Sequence, residues 1–276
     1  MKRVITALIL IPLALFLVFL GPHWHWIFML ATAGVAALAS WEFLAMAELG
    51  GAKPPRIAVL LAVICLFLGN FEWPDQLTAI LGILSLMLLV YCTFSSPTER
   101  MMPDIACSIF CLFYTGFTLA ALPALHDQAN GSSLVTFLLC VVWAGDIAAL
   151  YIGRRWGKHL LIPRLSPKKT WEGTLASMGG RLLVAGALLG VGSLMETWDS
   201  ARLSFPEDVW YWLGLAVVIN VAAQLGDLAE SALKRSVGVK DSGSLLPGHG
   251  GMLDRIDALL LAAPALWYAQ LIHQRF

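Results

Sequence analysis

Trp210-Tyr-Trp-Leu-Gly-Leu-Ala-Val-Val-Ile-Asn220-Val-Ala-Ala-Gln224-Leu-Gly-Asp227-Leu-Ala229 is an apolar run of membrane-crossing length that nevertheless carries two amides and an acid. A helix needs about 20 residues to traverse the hydrocarbon core. Followed a little further, Asn220, Gln224, Asp227, Ser231 and Lys234 recur at intervals of 4, 3, 4 and 3. On a helix they fall within about 80° of arc, a polar stripe on an otherwise apolar rod, with Glu230 on its shoulder. A carboxylate at membrane depth costs on the order of 2.5–3.5 kcal/mol even on mild scales. The stripe is therefore read as facing a wet cavity rather than as a purely structural hydrogen-bonded seam.

The rest of the chain matches this stretch. Of 276 residues, 59% are hydrophobic and 13% charged, against roughly 45–50% and 25% in soluble domains. So much apolar surface excludes a soluble fold, and a disordered chain would need the opposite composition. The fold class expected is all-α, a polytopic integral membrane protein with about nine transmembrane helices. The candidate spans are 4–20, 26–47, 57–71, 77–94, 105–125, 134–152, 176–195, 210–229 and 256–273. The third is short, and Arg181 shortens the seventh unless its side chain snorkels outward. Val4 to Leu20 is too long for the apolar core of a cleaved signal and reads as a helix that stays attached. Residues 1–130 would hold the first five spans and 131–276 a catalytic region, within one structural domain. Cys65, Cys92, Cys107, Cys111 and Cys140 lie in apolar stretches without metal-like spacing and read as free core thiols.

Lys and Arg set the orientation. With the N-terminus cytoplasmic, sixteen of the 18 fall on the inner side, leaving Arg202 and Arg275 outside. The expected location is a bacterial cytoplasmic (inner) membrane, with the N-terminus and both long loops on the cytoplasmic side. Two inner loops, 153–175 and 231–255, exceed the other connections. The formal net charge is zero, so no global basic surface points to nucleic acid.

Six Lys or Arg fall between 154 and 169 without one acid. A patch of this kind suits anionic lipid head groups, but its order suggests more. Ser166-Pro167 can open a turn, Lys168 and Lys169 supply point charges, and Thr170 can cap a helix whose free N–H groups would cradle phosphate. Asp146, just upstream, either pairs with Arg154 or Arg155 or faces a substrate. In the second loop, Pro247-Gly-His-Gly-Gly251 lets backbone approach a bulky ligand around His249. Asp254 and Asp257, three apart at a helix start, could join Asp227 at one spot. Such hard oxygen donors suit Mg²⁺, which keeps waters and substrate phosphates alongside one or two carboxylates. Glu42, isolated in the second span, has no nameable partner. Carboxylates, cations and a membrane face together fit phosphoryl or nucleotidyl transfer between a soluble nucleotide and a lipid.

Ser231-Ala-Leu-Lys-Arg-Ser-Val-Gly-Val-Lys-Asp-Ser-Gly-Ser-Leu-Leu-Pro-Gly-His-Gly-Gly-Met-Leu-Asp-Arg-Ile-Asp257 resembles the signature of the phosphatidate cytidylyltransferases, or CDP-diacylglycerol synthases. Gln224-x-Gly-Asp227-x-x-Glu-Ser231, Ser166-Pro-Lys-Lys-Thr-Trp-Glu-Gly173 and Asp146…Gly153-Arg…Gly157-Lys158 resemble the family too, so the likeness covers roughly 140–260. It implies an all-helical membrane enzyme, often a homodimer, that transfers CMP from CTP to phosphatidate with Mg²⁺ and releases pyrophosphate. By the same resemblance Asp227 and Asp254 would hold the metal, with Asp257 supporting. Asp146, Ser166, Lys168, Lys169, Thr170, Ser231 and Asp241 would serve the substrates, while Lys234, Arg235, Lys240 and His249 would line the path of the phosphates. Asp227, Lys234, His249 and Asp254 are the expected catalytic group. Two other readings stand beside this one. A transferase acting on a different lipid phosphate is one, although the D-G-x₂-A-R…D-x₃-D run of the CDP-alcohol transferases is absent. An anionic-solute transporter is the other, but it should hold its polar residues near midplane.

Overall fold

The computed structural model describes residues 2–20, 24–197, 203–206, 208–243 and 250–275. In chain order its helices are α1 (Lys2–Val18), α2 (His25–Leu49), α3 (Arg56–Glu72), α4 (Leu77–Ser95), α5 (Met101–Cys111) and α6 (Thr118–His126). They continue with α7 (Gly131–Trp156), α8 (Trp171–Thr197), α9 (Val209–Ser236) and α10 (Leu253–His273). A π-helical turn, Leu112–Phe117, joins α5 to α6 so that Met101–His126 runs as one span.

Among the described residues, seven helices are long and apolar enough to cross a membrane. The first and third expected spans correspond to α1 and α3, each 17 residues. Seven is thus the count that length and composition support. The protein is an integral membrane protein: Phe94 is 87% and Leu183 77% exposed, which only lipid can accommodate on this scale.

One element departs from an all-helical chain. Leu160–Ile162 (β1) and Ser166–Thr170 (β2) pair antiparallel, Leu160 opposite Thr170 and Ile162 opposite Ser166, with an irregularity between. The turn expected at Ser166-Pro167 lies earlier, at 163–165, closed by the Leu165 N–H donating to Ile162 O at 3.1 Å. Pro167 is tolerated inside β2 because a two-stranded ribbon leaves one edge free of ladder bonds. Thr170 does cap α8 as expected: its Oγ1 accepts from the Gly173 N–H at 3.2 Å. Replacing Thr170 with Val removes that acceptor, and the detergent-solubilised protein should lose about 1 kcal/mol, read as a lowered midpoint of thermal unfolding.

The chain divides into two compact units. The first comprises residues 1–124 and 233–256, and the second 125–232 and 257–276. Most of the second inner loop, from residue 233, belongs to the first unit with the N-terminal helices. Within the first unit α2, α3 and the π turn pack together. There Ser40 Oγ and Thr115 Oγ1 lie 2.7 Å apart, and each also donates to its own helix, to Ala36 O and Cys111 O. Short hydroxyls can sit in an apolar interior in this way, because the i−4 carbonyl satisfies them locally. Asp104, 1% exposed, accepts the Lys53 N–H at 2.6 Å and so fixes the α2–α3 connection. In the second unit α7 and α8 pack closely, and Phe137, Phe205 and Trp212 form an edge-to-face cluster with centroids 4.9–6.1 Å apart.

Candidate active site

The second unit holds a cavity of about 650 Å³. Asp146 of α7, Lys168 to Thr170 of β2, and Gln224 and Asp227 of α9 give it polar walls. Leu150, Leu160, Leu161 and Leu228 give it apolar ones. The hairpin accounts for the position of the lysines: alternation along β2 and its junction with the capped α8 bring Lys169 over α9. Lys169 Nζ meets Asp227 Oδ2 at 2.6 Å, both side chains remaining partly open to the cavity.

The stripe on α9 has two uses. Its N-terminal half is a seam to α8: Asn220 Oδ1 accepts from Ser177 Oγ at 3.1 Å and from Gln224 Nε2 at 3.0 Å. Gln224 and Asp227 border the cavity, while Ser231 beyond them is buried again. The sequence reading favoured the cavity over the seam; the structure contains both.

Asp146 pairs with neither Arg154 nor Arg155. Arg181 of α8 takes that place, its Nη2 lying 3.2 Å from Asp146 Oδ1, while Nη1 donates to Ile219 O at 3.2 Å. Arg181 does not snorkel outward either. It is 1% exposed and turned into the protein. Glycine makes this possible, since a Cβ on Gly145 would overlap Arg181 Nε. Asp257 lies within electrostatic reach of Asp227, Glu230 and Asp146, so four carboxylates of this unit act on one another. Ser231 is buried on α9, and Ser166 lies outside the cavity lining at the start of β2.

The remaining expected residues belong to the first unit. Asp254 has four donor groups within reach: Lys234 Nζ at 2.6 Å, the Gly251 N–H at 2.8 Å, and the N–H and Oγ of Ser242 at 3.0 Å, the hydroxyl being shared with Glu42. Its carboxylate is therefore engaged with its own loop. Arg235 Nη1 donates to Val239 O at 2.8 Å, beside the turn that ends α9. There Gly238 has φ +75° and the N–H groups of Gly238 and Val239 bond to Arg235 O and Lys234 O, a Schellman arrangement. Lys240 and Asp241 are exposed. His249 lies outside the described residues. Gly243 and Gly251 approach carboxylates of the protein itself rather than standing free for a ligand: a Cβ on Gly243 would come within 2.7 Å of Glu42 Oε1.

Glu42 is the residue the sequence reading left without a partner. Its carboxylate accepts from the Met252 and Leu253 N–H groups at 2.9 Å and from Ser242 Oγ at 3.0 Å. The signal available was a lone acid in an apolar helix; its partners lie 200 residues away and more. Glu172 was similarly missed as the partner of His159, its Oε1 lying 2.7 Å from Nδ1.

Among the described residues no three His, Cys, Asp or Glu side chains come close enough to hold a metal ion by themselves. Mg²⁺ does not require three, since it binds through one or two carboxylates with waters and substrate phosphates. The hard oxygens of Asp227 and Asp257 fit that demand.

The second unit of this integral membrane protein thus holds a cavity with a lysine–carboxylate pair, a further lysine and an apolar wall. The chain belongs to the cytidylyltransferase family, whose sequence model matches residues 1–273. A phosphatidate cytidylyltransferase of Synechocystis is 33% identical over 97% of this chain and 95% of its own length. One from Haemophilus influenzae is 32% identical over 97% of both. One from Brucella suis biovar 1 is 45% identical over 56% of this chain, which spans about half that protein's length, 54%.

Proposed function

We propose that the protein transfers CMP from CTP to phosphatidate, giving CDP-diacylglycerol and pyrophosphate, at the inner face of a bacterial cytoplasmic membrane. Family membership over nearly the whole chain, joined to the Lys169–Asp227 pair inside the cavity, carries the reading. The excess of Lys and Arg in loops 153–175 and 231–255 supports an inner-facing site. A homodimer rests on the family resemblance alone.

A phosphate monoester has a second pKa near 6, so the phosphatidate oxygen is already anionic near neutrality. That oxygen attacks the α-phosphorus of CTP, the bond between this phosphorus and the α–β bridging oxygen breaks, and pyrophosphate departs. No strong general base is needed. Lys168 and Lys169 hold phosphate oxygens in the cavity and offset the charge that develops on them. The leucines of the wall keep the acyl region of phosphatidate against apolar surface. Asp227 with Asp257 would hold Mg²⁺, which supplies neutralisation of bridging phosphate oxygens. For Asp254 the metal role rests on the sequence resemblance. Asp254 keeps Lys234 in place, and the roles of Lys234, Arg235 and Lys240 along the path of the leaving phosphates rest on the sequence resemblance. His249 orients them or shuttles a proton.

The test is a nucleotide panel with the purified protein and phosphatidate in detergent. CTP releases pyrophosphate and yields a lipid-linked CMP, whereas ATP, GTP and UTP yield less than about a tenth as much, selectivity expected when a site hydrogen-bonds the base. EDTA abolishes the reaction and Mg²⁺ restores it. Turnover with another triphosphate and none with CTP overturns the reading; undiminished turnover in EDTA overturns the metal.

A further inference from the structure

We infer that Glu42 is a positioning residue for this reaction: from the C-terminal third of an apolar helix it clamps the connection between α9 and α10, beside Lys234 and Asp254. The inference rests on the cytidylyl-transfer reading above. Glu42 is 6% exposed and sits in α2, a helix whose other described acid, Glu48, lies at its end. An ionised carboxylate in such a place needs compensation. It receives three donors, all from one loop: Ser242 on one flank, Met252 and Leu253 on the other. The last two open α10, where free N–H groups and the helix dipole favour an anion.

The clamp reaches the proposed chemistry through Ser242. Its Oγ lies 3.0 Å from Glu42 Oε2 and 3.0 Å from Asp254 Oδ2. A hydroxyl has one proton, so it can donate to only one of the two carboxylates at a time. The Ser242 N–H donates to Asp254, and Asp254 Oδ1 holds Lys234 Nζ at 2.6 Å. Glu42, Ser242, Asp254 and Lys234 thus form one chain of contacts. The backbone is built to admit it: a Cβ on Gly251 would overlap both Glu42 Oε2 and Ser242 Oγ, and Gly250 adopts φ +80° beside Asp254. A packing role alone would not require a charge here, since a neutral isostere fills the same volume.

The experiment compares the full-length protein with Glu42→Gln and Glu42→Ala in detergent. Two readouts are taken: steady-state kinetics with CTP and phosphatidate, and hydrogen–deuterium exchange followed by peptide. The amide of Gln keeps the shape but turns an N–H₂ toward backbone donors. We expect kcat to fall about 10- to 100-fold in both variants, with KM for CTP within about twofold, because the cavity lysines are untouched. Peptides spanning 250–256 should exchange at least about tenfold faster while those of α7 stay unchanged. Unaltered exchange at 250–256, unaltered kcat, or exchange raised throughout the chain would each overturn the inference. If even the unmodified protein transfers no CMP, the reaction assignment fails. Exchange at 250–256 then still decides whether Glu42 holds the loop.

Discussion

Asp227→Asn is expected to lower kcat about 10³-fold, the scale lost when a group that stabilises transition-state charge is removed, with little change in folding. Asp227 is the acid at which the α9 stripe reaches the cavity, and it meets Lys169 at 2.6 Å with 36% of its side chain open. A pair this exposed contributes at most about 1 kcal/mol to stability, so the unfolding midpoint in detergent should move by only a few degrees. The amide keeps shape and hydrogen bonding but not the charge that would hold a divalent ion and anchor Lys169. Turnover within tenfold of the parent, at saturating Mg²⁺ and CTP, would remove Asp227 from the proposed centre.

The second large effect concerns folding. Arg181→Met removes the buried guanidinium that pairs with Asp146 and donates to Ile219 O, leaving the Asp146 carboxylate to the cavity alone. Orphaning a fully buried charge costs roughly 3–5 kcal/mol, and the loss here falls below that range because Asp146 keeps 56% of its side chain open to the cavity. The single variant should unfold at markedly lower temperature. Adding Asp146→Leu removes the orphaned charge and should recover most of that stability without restoring turnover, since Asp146 also lines the cavity. Full recovery of turnover in the double variant would make the pair structural only.

The helices and their order were legible because apolar runs at membrane length admit few alternatives. The stripe on α9 was legible because helical periodicity is local. What sequence could not show is where a polar side chain finds its partner across distance. Arg181 looked like a residue obliged to escape the bilayer; its solution, a glycine opposite and an acid 35 residues upstream, is tertiary. Asp254 resembled a free ligand, yet its loop folds back on it with four donors. Glu42 is the same lesson in reverse. The hairpin was missed because β1 is three residues long and its alternation is indistinguishable from a short basic loop.

Under the proposed reaction, the mixed lining of the cavity also governs how the protein meets phosphatidate. With leucines on one wall and lysines on another, a two-tailed substrate can present its head group while its tails stay in the leaflet. The relevant concentration is then the mole fraction of phosphatidate in the surface, not its amount per volume. Diluting it with a neutral phospholipid at constant bulk quantity should slow the reaction, while CTP follows ordinary solution kinetics.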